Sequence, residues 1–182
     1  MVKGRLIASL LLILTLTLSS FLFANSIQVA FDASTYHTIP SPIFEDPHPF
    51  RTHGSVHMTL YPSTFEFSGV SLSPIVHLNY TTSSLPSYFS IIRGHTSLGG
   101  GLEVGLQFTK KFSTSASCSY VVSFYHHTYE QASFIRYTVT PSYRLNSFIA
   151  LTFPLRYDQR DDYDAFSGGF GINIRYTERD DE

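Results

Sequence analysis

The chemistry open to this chain resides in eight histidines, a sparse set of arginines and acids, and one cysteine. Neutral imidazole is a common ligand for zinc or copper, and His53, His57, His77 and His127 are the set that could form a zinc site at one rim. The favoured reading is nonetheless that polar segment ends collect histidine without a metal. A response of the same rim to pH, in the range where imidazole titrates, is the milder form of the idea. His126 and His127, followed by Thr128 and Glu130, put a base beside a hydroxyl and an acid. That juxtaposition is too common to specify nucleophilic catalysis, so no enzyme is expected. Asp158, Asp161, Asp162 and Asp164 could collect calcium, but they lack the Gly and the bidentate Glu of a dedicated loop. A solvated acidic loop is the better reading.

The composition shows what must position such residues. Of the 182 residues, 43% are hydrophobic and only 14% charged, against about 25% charged in ordinary soluble domains. Aromatics reach 15% without one Trp, and the single Cys118 excludes an intramolecular disulfide. A formal net charge of −2 is too balanced to suggest nucleic acid as partner.

Residues 1–24 carry Lys3 and Arg5, then an apolar run from Leu6, then Ser19, Ser20 and Ala24. This is the layout of a secretory signal peptide, with cleavage expected after Ala24. The mature chain, 25–182, is then a single domain ending in a short charged tail. No later stretch is long enough for a membrane helix. An exported, charge-poor chain can still span a membrane as a closed barrel.

From residue 26 the dominant period is two, the signature of strands. Eight alternating runs follow, at about 27–34, 53–62, 67–80, 97–110, 115–127, 132–143, 147–157 and 165–177. In the fifth, Ala116, Cys118, Tyr120, Val122 and Phe124 alternate with Ser115, Ser117, Ser119, Val121 and Ser123. Short turns are expected near 62–66, 111–114 and 143–146, and longer links at 37–52, 81–96 and 158–164; only the link at 128–131 breaks the pattern by being short. Long loops at one end and short turns at the other are what outer-membrane barrels show.

Charge placement tells which face meets lipid. Within the strand interiors the charged residues are Asp32, Glu103, Arg136, Arg156 and Arg175, all on the face opposite the apolar one; the rest fall in loops, turns, strand ends and the tail. As a soluble exterior that face would be strangely rich in Ser, Gly and Thr. As a lumen it makes sense, with the arginines and acids pairing across a narrow interior. The apolar face then meets lipid without a charge, where a midplane Arg or Lys would cost about 2–4 kcal/mol. Tyr80, Phe124, Tyr157 and Phe166 mark its loop side, and Phe108, Tyr143 and Tyr176 its turn side, as two interfacial girdles. The expected fold is all-β, an eight-stranded antiparallel up-and-down transmembrane β-barrel. A lipocalin-like barrel with its apolar face inward is the competing architecture.

In this pattern, and in stretches such as GVSLSPIVHLNY and GGFGINIRY, the chain resembles the small eight-stranded outer-membrane proteins of the OmpA membrane domain, OmpX and OmpW group. The resemblance covers residues 26–177, although the chain continues past Tyr176 as TERDDE instead of ending on an aromatic. It implies residence in the outer membrane after export, assembly as a monomer by the barrel-assembly machinery, and contact with outer-membrane lipid. The group anchors the envelope, binds host surfaces or passes small compounds. A structural or surface-interaction role is therefore expected, with a host or envelope surface as partner. Loop 37–52 is the candidate contact, through Ile43, Phe44 and Phe50. The alternative is a narrow channel, or a barrel responsive to a small ligand or metal, with water in a lumen made roomy by Gly and Ser.

Overall fold

A computed structural model describes residues 26–39, 51–82, 94–125, 131–161 and 164–177. Ten strand segments follow one another: β1 (Ser26–Ile39), β2 (Arg51–Tyr61), β3 (Phe65–Phe67), β4 (Val70–Thr81), β5 (His95–Gln107), β6 (Phe112–Tyr125), β7 (Gln131–Arg144), β8 (Ile149–Thr152), β9 (Leu155–Gln159) and β10 (Asp164–Thr177). They form eight walls. β8 and β9 are one wall interrupted at Phe153–Pro154, because proline has no N–H to give the ladder. Both segments pair with β7 on one side and β10 on the other. β3 is a spur on β4. Every pairing is antiparallel, and β1 pairs with both β2 and β10, so the sheet closes without a free edge.

The alternation assigned from sequence is the alternation observed. Six apolar residues are buried among the described residues, against eighteen polar or charged ones. Phe31, Leu102, Val104, Tyr120, Tyr137, Phe170 and Ile174 point outward and are exposed, while Asp32, Ser73, Ser97, Ser119, Ser123 and Arg156 are buried. An inverted burial of this kind is unstable in water and matches a hydrocarbon solvent. The lipocalin-like alternative, with an apolar interior, is thereby set aside.

The short turns sit a few residues from where the pattern puts them. β5 and β6 are joined by 108–111, and β7 and β8 by 145–148. The largest difference is the turn expected at 62–66. The chain instead continues through 62–64 into β3 and reverses at Ser68 and Gly69, whose φ angles are 50° and 81°. Two consecutive positive φ values are what a tight two-residue hairpin requires. This later reversal moves the register by several residues. His77 lies opposite Thr59, not opposite His53 as a turn at 62–66 would place it. His53 lies opposite Ser34 on the other flank of β2.

Candidate functional site

The interior divides into three levels. At the middle, Arg156 of β9 donates from Nη2 to Asp32 Oδ2 of β1 at 2.6 Å and from Nη1 to Ser34 Oγ at 3.2 Å. The hydroxyls of Ser34 and Ser55 each donate to Asp32 Oδ1 at 2.7 Å. His57 brings Nε2 within 2.9 Å of Asp32 Oδ2 and 3.1 Å of Arg156 Nη2. The Asp32 carboxylate is thus saturated, as a charge inside a low-dielectric wall must be.

β10 lies between the partners of this ion pair. Its inward residues there are Gly169 and Gly171, facing Ser34 and Asp32. A Cβ on Gly171 would meet Phe31 O at 2.6 Å and Asp32 Cβ at 2.8 Å, and one on Gly169 would meet Ala33 O at 2.6 Å. The glycines keep this stretch of wall bare, so an arginine on one neighbour can reach a carboxylate on the other.

Toward the loop end the interior is packed. Arg136 holds Asp158 with two hydrogen bonds, Nε to Oδ1 at 2.6 Å and Nη2 to Oδ2 at 2.8 Å. Arg160 donates to the same carboxylate at 3.4 Å and to the Tyr125 hydroxyl at 2.7 Å. Both guanidinium carbons lie over the Phe134 ring, at 5.2 Å for Arg136 and 4.0 Å for Arg160. Val121 beside them is 0% exposed and Asp158 2%. Asp158 is therefore a buried ion-pair partner rather than part of a solvated acidic loop. Asp164, in β10, accepts a hydrogen bond from the Tyr157 hydroxyl at 2.6 Å, and Asp162 lies outside the described residues.

Toward the turn end the lumen opens into a vestibule of about 330 Å³. Thr59, Ser71, Ser113, Ser115, Ser117, Thr138 and Thr140 line it with hydroxyls, and its upper boundary is Asp32, His57, His77, Arg136 and Arg156. Glu103 sits in this space and accepts a hydrogen bond from the Tyr61 hydroxyl at 3.2 Å; Tyr61 also reaches Gln28 at 3.1 Å. Arg175 lies over the Tyr61 ring at 5.2 Å and donates to Ser26 Oγ at 3.4 Å.

The five lumen charges read from sequence all face inward, but they do not form one network. Asp32 and Arg156 join each other; Arg136 joins Asp158; Glu103 and Arg175 meet on Tyr61 near the turn end. Arg160, Phe134 and Tyr61 join these charges without a signal in the strand pattern, and Asp158 belongs to the interior instead of the acidic loop. Parity could have found Asp158, since it continues the inward series of Thr152, Pro154 and Arg156.

The candidate metal residues are distributed differently from a ligand cluster. His57 Nε2 is engaged by the Asp32–Arg156 pair. His77 packs against Gly99, where a Cβ would strike its ring, and its Nε2 is buried without a hydrogen-bond partner. His127 lies outside the described residues, as do His126, Thr128 and Glu130, the contact residues Ile43, Phe44 and Phe50, and the leader 1–24. Among the described residues no group of three or more His, Cys, Asp or Glu could hold a metal ion.

No protein-family model and no curated relative matches the chain. Solved structures do. Ail, the attachment invasion locus protein of Yersinia pestis, solved in complex with the heparin analogue sucrose octasulfate, aligns with a TM-score of 0.54 at 9% identity, over 83% of this chain and 98% of Ail. The N-terminal β-barrel domain of Pseudomonas aeruginosa OprF aligns at 0.51 and 8% identity, over 84% of this chain and 98% of that domain. Neisserial surface protein A aligns at 0.50 and 10%, over 82% and 97%. At such identities the likeness concerns architecture. The chain has the fold of the small eight-stranded outer-membrane β-barrel proteins.

Proposed function

We propose that this protein is a non-conducting outer-membrane barrel whose work is done at its surface, through the loops opposite the short turns. The observation that carries this reading is the packed loop-half of the interior. The cluster of Arg136, Asp158, Arg160 and Phe134 lies in the interior on the loop side of the vestibule, which supports a closed lumen. A wall of this chemistry resists opening because parting it would leave the buried Asp158 carboxylate without its two guanidinium partners.

Export with removal of residues 1–24, insertion by the barrel-assembly machinery and a monomeric state complete the proposal. The apolar exterior supports the membrane, and the closed sheet leaves no edge for a second chain. The end bearing the short turns faces the periplasm and the longer links face outward. Ail shows that an attachment protein can be built on this architecture. Here the loops carry Glu45, Asp46, Glu130, Asp161 and Asp162 against Arg93 and Arg160, so a sulfated polyanion is not the expected partner. Ile43, Phe44 and Phe50 suit an apolar protein or lipid surface instead.

Planar-bilayer recording of the refolded chain tests the reading. Silent bilayers at protein levels that give heat-modifiable, fully folded barrels support it. Discrete, reproducible current steps from the wild-type chain would replace it with the narrow-channel alternative.

A further inference from the structure

We propose that the β5–β6 turn is a headgroup site for anionic phospholipid, resting on the reading above that the turn end faces the periplasmic leaflet. The turn runs Phe108, Thr109, Lys110, Lys111, Phe112. It is held by its own bonds: Thr109 Oγ1 accepts from Phe112 N at 2.9 Å and Lys111 N at 3.2 Å, and Phe112 O accepts from Phe108 N and Thr109 N, each at 3.1 Å. The Phe108 and Phe112 rings, which flank the two lysines in the sequence, stack at 5.7 Å.

Neighbouring turns are tied to this one. Arg144 N donates to Lys111 O at 2.7 Å, and Gln107 N donates to Gly69 O at 2.9 Å. They add the exposed Phe65, Phe67, Leu145 and Phe148 as an apolar apron, interrupted by the exposed Glu66, and Phe67 is 84% exposed. Lys110 and Lys111 are exposed at the tip, and no ion pair among the described residues engages either.

The two halves of this surface need different surroundings within one residue's length. Phenyl rings without a polar handle belong in acyl chains, whereas ammonium groups belong at phosphates just beyond. Phospholipid supplies both at once. A purely aqueous anionic polymer would leave the apron in water. Each basic residue beside an anionic surface strengthens association about fivefold, so the lysine pair is expected to give a preference of about 25-fold over a zwitterionic lipid.

Native mass spectrometry of the full refolded chain, with added phosphatidylglycerol or phosphatidylcholine, measures this preference. Phosphatidylglycerol adducts are expected to persist at collision energies that strip phosphatidylcholine, and the difference is expected to collapse in the Lys110→Gln/Lys111→Gln variant. Both substitutions lie in an exposed turn, and heat-modifiable gel mobility confirms folding. Equal retention of both lipids by the wild type, or an unchanged preference in the variant, overturns the site.

Orientation is read separately. Lys110→Cys in a Cys118→Ala background is expected to stay unlabelled by an impermeant maleimide in intact cells and to react once the outer membrane is opened. Labelling in intact cells overturns the orientation, and with it the assignment to phospholipid of the periplasmic leaflet. Protection there combined with no lipid preference overturns the headgroup site alone.

Discussion

Arg156 and Asp32 are joined at 2.6 Å across a strand to which neither belongs. Most ion pairs in sheets link neighbouring strands or neighbouring residues. This one spans β10 because Gly169 and Gly171 leave nothing in the way. It braces the wall where the first and last strands meet, the seam on which closure depends.

Cutting one side of that brace is expected to cost much more than replacing both. Asp32→Ala leaves the guanidinium inside without its counter-ion and is expected to lower stability by about 3–5 kcal/mol. The Asp32→Leu/Arg156→Met pair is expected to recover most of that loss. Urea unfolding in detergent or bilayers, followed by gel mobility, gives both values. Equal losses from the single and double variants would show that the pair itself, not its broken halves, carries the energy.

Gly171→Val is expected to be worse than either charge variant, because its side chain would press on the backbone of β1 as well as on Asp32. A substantially reduced yield of heat-modifiable barrel is the expected result. Normal refolding would mean that the seam can widen.

Asp158→Ala removes the carboxylate shared by Arg136 and Arg160. Water is expected to enter the loop-half, joining it to the vestibule, and bilayers silent with wild type are expected to show currents. With two guanidinium groups left along the path, those currents should favour anions. A silent Asp158→Ala barrel would place the seal elsewhere.

Cys118 is exposed on the outward face of β6, whereas Ser117 lines the vestibule. In lipid, Cys118 is expected to resist a water-soluble maleimide until the protein is unfolded. Ser117→Cys in a Cys118→Ala background is expected to react while folded. Rapid labelling of native Cys118 would contradict the face assignment.

Leu102→Arg on the outward face is expected to cost about 2–4 kcal/mol near the bilayer centre. The measurement is again urea unfolding in lipid; no penalty would indicate that this position lies near an interface.

The strands are legible because a wall between lipid and lumen favours an apolar residue at every second position, and that constraint repeats along the middle of β5, β6 and β7. Turns carry a weaker signal. Phe65, Glu66 and Phe67 keep the alternation going past Pro62, so the Ser68–Gly69 reversal hides inside an apparently continuous run. A turn at 62–66 would set His53 against His77; the observed one sets Thr59 there. Asp158 was obscured differently: it lies next to Asp161 and Asp162, and local composition outweighed parity. Which charges pair could not be read at all, since Arg156 finds Asp32 through a bare patch of a third strand.

Folding this chain inverts the usual driving force. With Leu60, Tyr61, Ile75, Val121, Phe134 and Ala165 as its buried apolar residues among those described, the molecule has almost nothing of its own to collapse around. The acyl chains serve as the missing nucleus, so the chain in water has little incentive to adopt its native shape and much to aggregate. Its stability is accordingly a joint property of polypeptide and bilayer. The same sequence should become more or less robust as the surrounding hydrocarbon is thickened, thinned or replaced.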